Sequence, residues 1–168
     1  NTLLLMGAAF VIAFGIALPA GVAAARRPWS AVDGLVNLTA FAGISVPPFW
    51  LAILLIILFS VTLGWLPAGG MGQGGFGERL LYMVRPVMTL SLAAVGSHIR
   101  FVRAAMMEAL RQDHVRTARA KGLSERQVVY GHALRNAMIP VVTIRARDFR
   151  TPFSGALIAE TRIGWAGT

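Results

Sequence analysis

From Leu3 to Ala25 the chain carries no charged or polar side chain. A helix over that stretch, rising about 1.5 Å per residue, crosses a hydrocarbon layer of about 30 Å with little to spare. It stops at Arg26-Arg27-Pro28-Trp29: two charges, a helix breaker and an interfacial aromatic. Helices buried in soluble proteins seldom run this far without a polar residue, so the stretch reads as a membrane span with its arginines at the cytoplasmic end. Composition agrees: 56% of the residues are hydrophobic, and the mean hydropathy is +0.65. The net charge of +9 on this background fits positive charge gathered on one membrane side better than a nucleic-acid surface. There is no cysteine, which excludes disulfides, thiolate catalysis and zinc-thiolate sites.

The next apolar run, Leu35 to Leu63, is long enough to span with tilt and is interrupted by Pro47-Pro48, where a bend is expected. Gly64 to Glu78 is a glycine-rich, charge-poor loop that suits the outer face, and it contains no phosphate-cradling GxxxxGK[ST] arrangement. Leu80 to Ile99 makes a third span, with Arg85 near its outer end. Arg100, Arg103, Glu108, Arg111 and Asp113 follow, so the helix is expected to leave the membrane and continue into the cytosol. Half of the 16 basic residues lie between Arg100 and Arg135, which puts this connection inside, in agreement with Arg26-Arg27. A fourth segment begins at Ala137 but meets Arg145, Arg147, Asp148 and Arg150. Four charges in mid-membrane would cost on the order of 10–14 kcal/mol, so the stretch either faces a watery interior or is not an ordinary span. Starting at Asn1, without a basic leader or cleavage site, the chain reads as a segment of a longer polytopic protein.

Thr117 to Pro140, TARAKGLSERQVVYGHALRNAMIP, is a basic helical hairpin. Arg111 to Lys121 is rich in helix formers, Gly122 stands where a left-handed C-terminal cap belongs, and Ser124 with Gln127 forms an S-x-x-Q capping box. Val115, Ala118, Leu123 and Val128 are expected to form an apolar seam, with Arg116, Arg119, Lys121 and Arg126 in water. Two caps meeting at one turn make a stiff knob rather than a slack connector. As a function, such a knob suits gripping by another protein.

Other readings are weaker. A membrane-anchored helix-turn-helix that binds nucleic acid would suit the charge, but membrane segments flank the hairpin too closely for a groove-binding helix. Ser97 and His98 are adjacent on a helix and do not make a nucleophile with its base; His98 reads as an interfacial residue with its polar needs met. His114 and His132 lack metal-pair spacing, and Glu160 has no second carboxylate for acid–base chemistry. No catalytic, cofactor-binding or metal-ligating set is therefore expected. Phe41, Phe49, Trp50 and Phe59 read as packing and lipid contacts.

EALRQDHVRTARAKGLSERQVVYGHALRNAMIP resembles the cytoplasmic loop of ABC-importer permeases, specifically the dipeptide/oligopeptide branch, and GISVPPFWLAILLIILFSVTLGWLPAGG resembles the span and outer loop upstream of it. With NTLLLMGAAF and GALIAETRIGWAG, the likeness covers nearly the whole chain. It implies an all-α polytopic membrane protein with a type I ABC-importer permease core. Residues 1–168 would be one transmembrane permease domain, a fragment with about four spans, lacking at least one span on either side, and 108–135 would be its cytoplasmic coupling loop. Thr117, Ala118, Arg119, Ala120, Lys121 and Gly122 match the core of the loop motif and would couple to an ATPase. Ala118 and Ala120 would allow close approach, Gly122 would turn the chain, and Arg119 and Lys121 would find acidic or carbonyl partners. The implied assembly holds a second homologous permease subunit, two ATPases that bind the ATP, and an extracytoplasmic substrate-binding protein. It would sit in a bacterial cytoplasmic (inner) membrane as a multi-pass importer of peptides or similar small solutes, with no cofactor in this chain and no nucleic acid. Arg135 stands where other importers carry a proline, as the peptide branch also tends to have, and Ile144 to Phe153 departs from the glycines and aliphatics usual in the family.

Overall fold

The computed structural model describes residues 2–65 and 76–148. These residues are helical almost throughout: α1 (Thr2–Arg26), α2 (Ala31–Ser45), α3 (Pro48–Ile56), α4 (Phe76–Arg111), α5 (Asp113–Ala120) and α6 (Leu134–Asp148), with π-wound stretches at Ile57–Thr62 and Gln127–Ala133. The chain divides into two compact units, Asn1–Ala104 and Ala105–Thr168.

In the first unit, small residues face inward and large apolar ones face outward. Ala9, Ala13, Ala17, Gly21 and Ala25 recur every four residues, one helical turn apart, and all are buried. Val11, Ile16, Leu35 and Leu38 are exposed, at 69%, 49%, 63% and 67%. A water-soluble bundle does the opposite, whereas helices in lipid associate through small residues that let backbones approach. The approach is close. A Cβ added at Gly21 would stand 2.8 Å from the Val102 side chain, and one added at Gly96 would run into the Ala40 carbonyl oxygen. Ala17, Ala40 and Ile99 form the centre, with Ala20, Val36 and Val95 packed against them.

A polar knot closes the same unit. The turn between α1 and α2 places Trp29 in the left-handed region at φ 67°, and the Trp29 N–H donates to Asp33 Oδ2 at 2.9 Å. Ser30 caps α2 by accepting from the Asp33 N–H at 3.3 Å. The Asp33 carboxylate, buried to 4% exposure, also accepts from Asn37 Nδ2 at 2.7 Å. From α4, Arg103 completes the set with Nε on Oδ1 at 2.6 Å and Nη2 on Oδ2 at 2.7 Å. Each oxygen thus takes two donors, which is what a buried carboxylate needs to remain charged. Beside it, Arg100 lies over the Phe41 ring at 4.6 Å.

Pro47-Pro48 does more than bend the second apolar run. Val46 and Pro47 are extended, Pro48 opens α3 at its first turn, and the two helices meet at 95°. The run then ends in the π-wound Ile57–Thr62, where the Thr62 hydroxyl donates to the Ile57 carbonyl five residues back. Phe49 and Trp50 are exposed, at 69% and 50%, and Phe59 meets Trp65 at 6.2 Å, as packing and lipid contacts would. Among the described residues, Leu5–Arg26 is the one unbroken helix long and apolar enough to cross a membrane, and the broken pair Ala31–Ser45 with Phe49–Thr62 would make a second.

α4 encloses the expected third span and runs past it to Arg111, with Pro86 inside. His98 is buried between helices at 8% exposure, lying edge-on to Phe10 and Phe14 at 5.7 and 6.4 Å. Its Nδ1 stands 2.7 Å from the Ala94 carbonyl, which can only accept, so Nδ1 carries the proton. The Ser97 hydroxyl turns to the same carbonyl at 2.8 Å. Although Ser97 Oγ and His98 Nδ1 approach to 3.4 Å, a protonated Nδ1 takes no proton from a serine. Most of the glycine-rich loop, all residues beyond Asp148, and the side chains of Arg85, Arg145, Arg147 and Asp148 lie outside the described residues, as does Glu160.

Candidate functional site

The second unit contains the hairpin. The expected helix from Arg111 to Lys121 is broken at Gln112, whose extended backbone (φ −71°, ψ 152°) separates α4 from α5. α5 therefore has its own first turn, with Asp113 where a negative charge meets the helix dipole favourably. The Thr117 hydroxyl donates to the Asp113 carbonyl at 2.9 Å and stiffens this short helix.

The turn forms as the sequence requires. Gly122 has φ 77°, its N–H donates to the Arg119 carbonyl at 3.0 Å, and the Leu123 N–H reaches back to the Ala118 carbonyl at 3.3 Å. These two bonds are those of a Schellman cap. Across the turn, the Ser124 N–H donates to Gln127 Oε1 at 3.1 Å, and the Gln127 N–H returns to Ser124 Oγ at 3.4 Å. That is a capping box. C-cap and N-cap share four consecutive residues, so neither helix end has room to fray.

The seam differs from expectation in one member. Val115, Ala118 and Val128 are buried, but Leu123 is 37% exposed, because the left-handed Gly122 throws the next residue to the tip. Val129 and Ala133 take its place. The π winding of Gln127–Ala133 accounts for this: with about one extra residue per turn, Val128 and Ala133, five apart, come onto one face. Ala118 lies in this seam, whereas Ala120 is exposed. His114 Nε2 accepts from Asn136 Nδ2 at 2.7 Å, which ties α5 to α6.

The charges are unevenly engaged. Arg119 grips Glu125 with two donors, Nη2 on Oε1 at 2.7 Å and Nε on Oε2 at 3.2 Å. Hydrogen bonding to that carboxylate raises the already high guanidinium pKa. Arg116 stands 3.5 Å from Asp113, a loose exposed pair. Among the described residues, the side chains of Lys121 and Arg126 make no hydrogen bond or ion pair, and both are exposed. Of the six motif residues, the structure thus puts Ala118 inside, Gly122 at the turn, Thr117 and Arg119 in intrachain bonds, and Ala120 and Lys121 outside. The Asp33–Arg103 knot was not foreseen; the spacing of Ser30 and Asp33, three apart just before an apolar run, was its available signal.

Helices that pack through small residues, followed by a doubly capped basic hairpin, define a helical membrane component. The chain belongs to the family described as binding-protein-dependent transport system inner membrane component, which it matches over residues 17–168. It is 37% identical to the oligopeptide transport system permease protein AppB of Bacillus subtilis over 99% of this chain and 54% of that protein. It is 39% identical to the di/tripeptide transport system permease protein DppB of Pseudomonas aeruginosa, over 99% of this chain and 56% of that one. With the glutathione transport system permease protein GsiC of Escherichia coli it shares 42% identity over 94% of this chain and 49% of the other. The chain therefore spans about half the length of these curated relatives. Nothing in the structure or among these relatives supports a nucleic-acid-binding role.

Proposed function

We propose that this chain is part of a multi-pass permease subunit of an ATP-driven importer in a bacterial cytoplasmic membrane, with about four spans and a type I importer core, and that it admits peptides or similar small solutes. Its relatives' names supply the substrate class: oligopeptides, di- and tripeptides, and glutathione. The coupling loop, 108–135, is the element an ATPase subunit holds, with Thr117 to Gly122 at its core. The observation that carries this reading is the doubly capped turn at Gly122–Gln127, which keeps a short hairpin rigid under load. The working assembly pairs this subunit with a second permease, two ATPases and an extracytoplasmic binding protein. ATP is bound and hydrolysed by the ATPases; this chain's part is mechanical, turning their closure into movement of the helices attached to the hairpin.

The test is a cysteine placed at Ala120 in the full-length subunit, co-expressed with its transporter partners. Residues 1–168 hold no cysteine, and any cysteine elsewhere in the full-length subunit is first replaced by serine. A bifunctional thiol reagent should join the subunit to an ATPase, and ATP should change the yield. Labelling of that cysteine from outside intact cells would refute both orientation and role.

A further inference from the structure

Three features of the molecule invite a role: the buried Asp33–Arg103 knot, the Ser97–His98 pair against Phe10 and Phe14, and the division of charge across the hairpin tip. In the knot both Asp33 oxygens are filled, and Ser97 Oγ and His98 Nδ1 both turn to the Ala94 carbonyl, whereas the hairpin tip leaves some of its charges engaged and others open.

We infer that Arg119 is a positioning residue, committed to Glu125 within the hairpin, and that the cation the hairpin offers to an acidic site on its ATPase partner is Lys121. This inference rests on the coupling reading above. It assigns different work to two basic residues that lie only two positions apart in one motif.

The geometry separates them. The Arg119–Glu125 contact is two-pronged, at 2.7 and 3.2 Å, and it bridges the last turn of α5 and the first turn of the following helix, with Gly122 between them. A fork of donors on both oxygens of one carboxylate has little freedom to swing toward a second partner. Each charge also sits at the helix end that favours it: the guanidinium in the last turn of α5, the carboxylate in the first turn after Ser124. The pair therefore has two reasons to remain closed that involve no other protein. It acts as a clasp across a turn already held by backbone caps.

Lys121 is placed otherwise. It is the C-cap residue of α5, its own N–H is satisfied by the Thr117 carbonyl at 3.0 Å, and its side chain is exposed, as is Leu123 two positions on. Among the described residues it has no internal counter-charge. A lysine with no internal counter-charge, two positions before an exposed leucine, suits a partner surface that offers a carboxylate near an apolar patch. A sequence motif alone cannot tell the two cations apart, since both are basic, exposed and inside TARAKG.

The test is a double-mutant cycle in the complete transporter, read by association of the ATPase subunit with detergent-solubilised or nanodisc-held permease. Arg119→Gln and Glu125→Gln should each weaken association to a similar extent, about two- to fivefold, as expected for losing an exposed ion pair. The two together should be no worse than either alone. Exchanging the pair, Arg119→Glu with Glu125→Arg, should restore part of the loss, though not all of it, because the exchanged charges meet the wrong ends of the helix dipoles. Lys121→Gln should add its effect to any of these and flatten the dependence of association on salt, whereas Arg126→Gln, equally exposed but outside Thr117–Gly122, should leave that slope unchanged. The inference is overturned if Arg119→Gln flattens the salt dependence, if Glu125→Gln leaves association unchanged while Arg119→Gln abolishes it, or if the two effects add. A separate control isolates the coupling reading: when Lys121, Gly122 and Leu123 are all replaced by alanine and the ATPase still binds undiminished, that reading fails, whatever the cycle shows.

Discussion

Replacing Asp33 by asparagine should destabilise the protein far more than its position at a helix start suggests. The carboxylate is 4% exposed, and its partner Arg103 is 20% exposed, with the two prongs at 2.6 and 2.7 Å. Opposite unit charges about 4 Å apart attract by about 4 kcal/mol at an effective dielectric near 20. Burying them has already offset part of that gain. What a single substitution exposes is the cost of leaving Arg103 without its counter-charge, about 3–5 kcal/mol for a buried pair. Asparagine keeps one acceptor oxygen but turns an amide NH2 toward a donor, because four donors converge on the present carboxylate. The expected loss is therefore about 3 kcal/mol, since the retained oxygen recovers some bonding. Asp33→Asn combined with Arg103→Met removes both charges and should come back to within about 1–2 kcal/mol of the parent. The measurement is equilibrium unfolding of the purified full-length protein in mixed micelles of increasing denaturing detergent. If the single substitution costs less than about 1 kcal/mol, or if the double costs the sum of both singles, the argument from a saturated buried carboxylate is wrong.

Gly96→Ala should destabilise by about 1–3 kcal/mol, because the new methyl meets the Ala40 carbonyl oxygen, which is backbone and cannot rotate aside. Gly15→Ala, with nothing within 4 Å, should instead gain up to about 1 kcal/mol of helix propensity, and opposite shifts in thermal midpoint would confirm the contrast. Gly122→Val should strain the left-handed turn by about 1–2 kcal/mol, while the added β-carbon meets no other part of the protein within 4 Å. Gly122→Asn, which tolerates that conformation, should be milder. Hydrogen exchange at Leu123 and Gln127 should speed up for valine only, and ATP-driven uptake should fall with it; equal behaviour of the two variants would sink the idea.

How much was legible in the sequence depended on range. The hairpin's caps are local chemistry, so Gly122 and the Ser124–Gln127 box were readable from a few adjacent residues and formed with the expected bonds. The break at Pro47-Pro48 was readable as a bend, since proline acts on its own backbone neighbours. The Asp33–Arg103 pair joins residues 70 apart, and no periodicity reports a partner at that distance. Leu123 was misplaced because an apolar residue after a glycine cap commonly folds back, whereas here the π-wound stretch brings Val129 and Ala133 into the seam and leaves no vacancy. The four-residue rhythm of alanine and glycine along α1 is written in the sequence but is recognised only once the buried face is known. It escapes a search for large apolar residues because in lipid the interior is marked by what is small.

That rhythm has a mechanical corollary. Where Gly21 meets the Val102 side chain and Gly96 meets the Ala40 carbonyl, the helices approach with no layer of long side chains to act as a cushion. A joint without padding slides poorly and transmits force well. α1, α2 and the stretch of α4 from Gly96 to Arg103 should therefore travel as a single strut, and under the importer reading proposed above a solute path would open along some other face of these helices.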